Sequence, residues 1–138
     1  MNSYRLFEHT ADLGIEFSAD SLEGLFVSSG SGLFDVISGI DGIKAEKTFQ
    51  IKVEGIDPED LLVNWLRELL YLHQVKRILL CKFHISEISD TRLTGSVEGE
   101  PFDTKRHEIK KEIKAATYHG IEVRESAGRW TARVIFDV

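Results

Sequence analysis

Two aspartates stand at the ends of apolar, strand-like segments. Asp137 follows Val134-Ile135-Phe136 in "TARVIFDV" and lies one residue before Val138, which adds the terminal carboxylate. Asp12 lies in "EHTADLG", between two apolar segments. Like charges crowded together repel unless water or a cation intervenes. Three oxygen donors, without cysteine or paired histidines, suit a hard cation such as Ca²⁺ or Mg²⁺. The plainer reading makes Asp12 a turn residue bonding its own backbone and Asp137 part of a solvated terminus. A frayed terminus would lose Asp137 and Val138 at little cost in stability, whereas a metal site would not survive their loss. Nothing in the linear sequence joins Asp12 to Asp137, so both readings stand at this point.

Other residues carry weaker chemistry. His9 sits three positions before Asp12, a spacing common by chance; hydrogen bonding within the turn accounts for it as well as metal ligation does. Asp103, Lys105, Arg106, His107 and Glu108 form a charged cluster. It is either a solvated loop or a contact surface, and Arg106 could grip a carboxylate or phosphate in bidentate fashion. Lys114 and His119 flank "AATY". Lys114 can simply snorkel outward, and His119 has no Ser or Cys nucleophile placed near it by a motif. Cys81 alternates with Phe83 and Ile85 and reads as core. Phosphate loops, dinucleotide fingerprints and zinc motifs are all missing.

These residues need a scaffold, and the periodicities describe one. "YRLFEH" and "GIEFSA" read as strands around "TADL". A helix follows, with Asp20 as its cap, Glu23 in the third helical position, and Leu22, Leu25, Phe26, Leu33, Phe34 and Ile37 at helical intervals. Its middle, "SSGSG", is made of poor helix formers, so packing must hold it, and small residues there permit close approach to a sheet. "TFQIKVEG" alternates as a half-buried strand, with Phe49, Ile51 and Val53 on one face. "DPEDLLVNWLRELLYLH" is a capped helix: Asp57 caps, Pro58 takes the first position, and Leu61, Leu62, Trp65, Leu66, Leu69 and Leu70 form an apolar stripe. "ILLCKFHISEIS" and "RLTGSVEGE" form a hairpin around Asp90-Thr91. "PFDTKRHEIKKE" is a polar loop with room for one helical turn. "IKAATYHGIEVRE" and "RWTARVIFDV" close a second hairpin through Ser126-Ala127-Gly128, although the composition from Glu108 to Ala116 also permits a helix. The order β-β-α-β-α-β-β-β-β predicts an α+β fold, two-layer, with a mainly antiparallel sheet and two helices on one face.

The chain of 138 residues is the size of a single domain, 1–138. Its composition, 42% hydrophobic and 29% charged, is that of a globular protein rather than a disordered or fibrous one. One cysteine excludes an intrachain disulfide and agrees with a reducing compartment. With no apolar run of membrane-spanning length and no signal-like leader, a cytosolic protein without a membrane role is expected. A net charge of −6 argues against a protein whose main affinity is for phosphate backbones. It suits a partner with a basic surface.

Four blocks in this order, "FEHTADLGI", "EDLLVNWLRELLYL", "RHEIKKEIKAATYH" and the closing "W-x-A-R-V-I-F-D-V", resemble the archease family over nearly the whole chain. The resemblance implies a small α+β protein that assists the tRNA-splicing RNA ligase joining 2′,3′-cyclic-phosphate and 5′-hydroxyl ends. Such a protein promotes GTP-dependent guanylylation of the ligase and its repeated turnover without catalysing ligation. RNA would then be met only through the ligase. The resemblance also implies a Ca²⁺-type site, with Mg²⁺ or Mn²⁺ as alternatives, at Asp12, Asp137 and Val138, the last through main-chain or terminal oxygens. It further implies a ligase contact near Arg106, His107 and Lys114. Two rival expectations are a chaperone-like module for another tRNA-modifying enzyme, such as a methyltransferase, and a metal-dependent phosphoesterase using His9, Asp12, His107 or His119.

Overall fold

The computed structural model describes residues 2–8 and 12–138. Eight strands and two helices are present among them: β1 Ser3–Glu8, β2 Leu13–Ala19, α1 Leu22–Ser38, β3 Lys47–Glu54, α2 Pro58–Gln74, β4 Ile78–Ile88, β5 Arg92–Pro101, β6 Ala115–Ala116, β7 Glu122–Ser126 and β8 Arg129–Asp137. The fold is α+β with antiparallel pairing throughout. The strands divide into two sheets. The first runs β1-β2-β8-β6, with β7 also on β8; the second runs β3-β5-β4. Helix α1 packs on β1, β2 and β8 of the first sheet and on β4 of the second, while α2 packs on β3, β4, β6 and β7.

Both helices start as capping chemistry requires. Asp57 accepts a hydrogen bond from the Asp60 amide ahead of Pro58, satisfying one of the orphan donors of the first turn of α2. At α1 the cap is Ser21, not Asp20: the Ser21 hydroxyl accepts from the Gly24 amide at 2.9 Å. Asp20 instead accepts from Arg129 at 2.9 Å, a residue remote in sequence but at the end of the neighbouring strand β8. The expectation that Asp20 caps this helix is thus corrected by one residue: Ser21 is also a capping type, and its hydroxyl is the group that meets the helix amide.

The small residues of α1 bring it against both sheets. A Cβ on Gly30 would lie 2.6 Å from the Phe83 ring of β4, so only glycine allows this approach. The Trp65 indole N–H of α2 donates to the Phe26 carbonyl and the Ser29 hydroxyl of α1, both at 3.1 Å. The least favourable stretch of α1 for helix propensity is thereby held by tertiary packing and one shared polar contact. Leu61, Leu62, Trp65, Leu66, Leu69 and Leu70 are all buried, as the stripe predicts.

Two expectations need correction. The segment before the last hairpin is not one continuous strand. β6 and β7 follow one another along the same edge of β8, separated by a turn in which the Ile121 amide bonds the Tyr118 carbonyl and Gly120 takes φ 63°. Nor does a helix form from Glu108 to Ala116. The backbone there is tied sideways: Lys110 and Lys111 donate to the Ile37 carbonyl and Lys114 donates to Asp137. The closing turn itself is as expected, with Ala127 and Gly128 both at positive φ, the pattern of a tight hairpin. Cys81 packs against the core but is only half-buried, at a bulge between Leu80 and Lys82. Burial pushes its thiol pKa up, away from reactivity.

Candidate functional site

The first site lies at one end of the five-stranded sheet. Leu13 of β2 pairs with Phe136 of β8, and Asp12 and Asp137 are the residues immediately beyond that pair on the two strands. The hairpin from β1 to β2 and the closing strand β8, remote in sequence, thus end side by side. Asp137 is exposed and Asp12 half-buried. His9 falls outside the described residues.

The end of β8 is anchored on its other side as well. Ala115 pairs with Asp137, and the Lys114 amide donates to the Asp137 carbonyl at 2.8 Å. The Thr117 amide and hydroxyl both donate to the Ile135 carbonyl, at 3.0 and 2.9 Å. Asp137 is therefore a sheet residue with an exposed side chain rather than part of a frayed tail. Val138 follows, 37% exposed, and ends the chain beside it.

By strand alternation Asp137 shares the outer face of the sheet with Ile135 and Arg133. Arg133 is committed there: its guanidinium lies 4.1 Å from the centroid of the Phe7 ring, and its Nε is 3.7 Å from Glu16. Glu16 in turn accepts from Arg5 at 2.9 Å. The nearest arginine on this face is thus held by an aromatic ring and another carboxylate. The register brings Asp12, Asp137 and Val138 to the same sheet end, and the donors these residues could offer are oxygens. Oxygen-only donors fit a hard cation such as Ca²⁺. Among the described residues no group of three or more His, Cys, Asp and Glu side chains stands together as a metal cage. A cation here would take two side-chain carboxylates, with main-chain or terminal oxygens and water filling the remaining positions.

The second site is the charged cluster after β5. Its centre is Glu100, a residue no local pattern marks, since β5 alternates apolar and polar through "RLTGSVEGEP". Glu100 is 2% exposed. Arg106 grips it with both terminal nitrogens, through Nη1 to Oε1 and through Nη2 to Oε2 at 3.2 Å. The Lys44 amide donates to Oε2 at 2.6 Å, and His107 Nε2 lies 3.0 Å from the same oxygen. His107 Nδ1 accepts from the Asp103 amide at 2.9 Å, so the proton sits on Nε2 and is donated to Glu100. The ring also stacks on Phe102, centroids 6.0 Å apart. The Arg106 hydrogen bond, chiefly, pulls the Glu100 carboxyl down to about 2 against the cost of burial.

Arg106 therefore does grip a carboxylate in bidentate fashion, but one of its own chain. His107 is buried and acts inside the fold, tying the loop to β5. Arg106 remains partly exposed and Lys114 is exposed. His119 is exposed, in the turn after β6. Tyr118 beside it donates to Asp60 at 2.5 Å and lies under Arg67, pinning that turn to α2.

Comparison with known proteins follows the same order of blocks. The pattern that defines the Archease protein family (MTH1598/TM1083) matches residues 4–138. Protein archease of Pyrococcus furiosus is 40% identical over 142 residues, covering 100% of both chains. Protein archease of Methanopyrus kandleri is 36% identical over 134 residues, covering 95% of this chain and 96% of its own. The solution structure of Methanobacterium thermoautotrophicum protein 1598 superposes with a TM-score of 0.82 at 32% identity, covering 98% of each chain. The fold is shared with a Thermotoga maritima archease, described as a possible chaperone, at a TM-score of 0.65 and 21% identity, over 96% of this chain and 94% of that one. None of these names assigns an enzymatic activity. On its whole-length match and these identities, the chain belongs to the archease family.

Proposed function

We propose that this protein is a non-catalytic activator of the cytosolic tRNA-splicing RNA ligase that joins 2′,3′-cyclic-phosphate to 5′-hydroxyl ends. It promotes guanylylation of the ligase and lets it turn over. The observation that carries this reading is the union of Asp12 with Asp137 at one sheet end, in a chain that belongs to the archease family over residues 4–138. Asp12, Asp137 and Val138 would hold a divalent cation, Ca²⁺ or else Mg²⁺ or Mn²⁺. When bound, such an ion supplies positive charge of the kind that stabilises phosphoryl transfer. The support from the fold is that the register of β2 and β8 brings Asp12 and Asp137 to the same sheet end. An acidic protein of net charge −6 is suited to a basic, phosphate-handling partner.

The test is a turnover assay with the cognate ligase, GTP and cleaved tRNA halves, with ligase below substrate. The expected result is many joined products per ligase with this protein and about one without it. Unchanged turnover would end the proposal. Binding of Ca²⁺ to the isolated protein, read by calorimetry, is a second readout that does not depend on the ligase. The description of the Thermotoga maritima relative as a possible chaperone favours one alternative, a binding module for a different RNA-modifying enzyme. A pull-down that recovers such an enzyme in place of the ligase would establish it.

A further inference from the structure

A cavity of about 440 Å³ opens at the C-terminal end of α2, between that helix and the segment 109–114. This volume lies within the range of small-molecule sites, roughly 300–1,000 Å³. Phe102, Ile109 and Ile113 give it an apolar wall, and Arg77 and Lys114 bring two cations to its rim. Glu112 is the carboxylate that lines it. His73 also lines it, with Nδ1 3.2 Å from the Ile78 carbonyl, which leaves Nε2 as an acceptor. Burial pushes the His73 pKa down, in keeping with a neutral ring. Gln74 closes the floor by donating to the Ile113 and Lys114 carbonyls at 2.9 and 2.8 Å.

Arg77 is the unusual residue. It takes φ 61°, the left-handed conformation that normally selects glycine after a helix. Its carbonyl accepts from the Phe102 amide at 2.8 Å, and its guanidinium lies 5.7 Å from the Phe102 ring centroid. Glycine would serve the turn better; arginine is present where a cation beside an aromatic wall is of use.

We propose that this cavity binds a small organic carboxylate with a flat apolar body and a hydrogen-bond donor. The body lies against Ile109 and Ile113 and meets Phe102 at the edge of its ring, whose faces are taken by His107 and Arg77. The carboxylate meets Arg77 and Lys114, and the donor meets His73 Nε2. Two cations against Glu112 leave one surplus positive charge, and the carbonyls that end α2 add negative potential, so a monoanion fits better than a dianion. Lys114 adjoins the Asp137 end through its amide, which donates to the Asp137 carbonyl, but the other residues that line the cavity do not include Asp12, Asp137 or Val138, and the proposal needs no metal at that end.

The experiment is an amide chemical-shift titration of the full chain with indole-3-acetate. Indole, acetate and the dianion adenosine 5′-monophosphate serve as controls. Indole-3-acetate is expected to shift residues 73–77 and 109–114 together and to bind about tenfold more tightly than any control. Arg77→Gly removes the guanidinium while relaxing the left-handed turn; it should keep or raise the melting temperature and weaken binding about tenfold. Glu112→Gln should tighten it. The absence of shifts at these residues would overturn the proposal, as would binding unchanged in Arg77→Gly. Tighter binding of the nucleotide than of indole-3-acetate would overturn the assignment to a monoanionic carboxylate.

Discussion

Glu100 and Asp137 are both acidic residues near the end of a strand, and the fold treats them in opposite ways. Glu100 is buried and receives Arg106, the Lys44 amide and His107. Its acceptor capacity is used within the chain, so its role is to fasten the loop after β5 onto the second sheet. Asp137 has a fully paired backbone and an exposed side chain. The arginine that shares its face, Arg133, is held by Phe7 and Glu16. A carboxylate saturated by its own protein is a structural tie, whereas the exposed Asp137 is one of the two carboxylates proposed above to meet a cation. The charged cluster, which in sequence reads as either a solvated loop or a contact surface, contains the tie, and Asp137, which reads as either part of a solvated terminus or half of a cation site, has its backbone in the sheet.

The contrast can be broken most sharply at the proposed cation site. Asp12→Asn with Asp137→Asn should abolish Ca²⁺ binding by calorimetry and reduce ligase turnover to that of the ligase alone. In metal-free buffer Asp137→Asn alone should stay within about 0.5 kcal/mol of the parent in urea unfolding, because the Asp137 side chain is exposed. Deleting Asp137 and Val138 is the poorer experiment, since it also removes the Ala115 pairing and the acceptor for the Lys114 amide.

Glu100→Gln should show the reverse pattern. Leaving Arg106 without its carboxylate and altering a buried, fully bonded site should cost about 2–3 kcal/mol in urea unfolding. Ca²⁺ binding at the other end should be unchanged. If Glu100→Gln abolished metal binding and the double aspartate variant did not, the two assignments would have to be exchanged.

A pH titration sharpens the same comparison. The Glu100 carboxyl lies at about 2 in the folded protein against an ordinary value of 4.5. The unfolded chain therefore takes up this proton first as the pH falls. The stabilisation is fully present above about pH 4.5 and is lost progressively toward pH 2. Stability measured across that window should fall with a steeper slope in the parent than in Glu100→Gln. The smallest effect is expected at the α1 cap: Ser21→Ala should cost about 1 kcal/mol in thermal unfolding. Asp20→Ala should cost less, because its partner Arg129 is an exposed ion pair rather than a helix donor.

Much of the scaffold was legible because short-range chemistry writes it. The cap of Asp57 and Pro58, the Leu–Trp stripe of α2, the alternation of β3 and the two hairpins all depend on residues within a few positions of one another. The α1 stripe was equally readable, and even its glycines announced a close approach, though not that Phe83 would fill it. Its cap was read one residue early, because Asp20 and Ser21 are both capping types and Asp20 has its partner 109 positions away. The break between β6 and β7 was hidden for the same reason: the hydrogen bonds that shape it come from Ile135, Asp137 and α2.

By itself, then, the sequence determined the fold class, the main elements, the archease membership and the two aspartates worth watching. Only the tertiary structure decided which carboxylate is consumed internally and which is presented. Those outcomes depend on strand register and on loop closure over Glu100, and both are set by contacts between residues far apart in the chain.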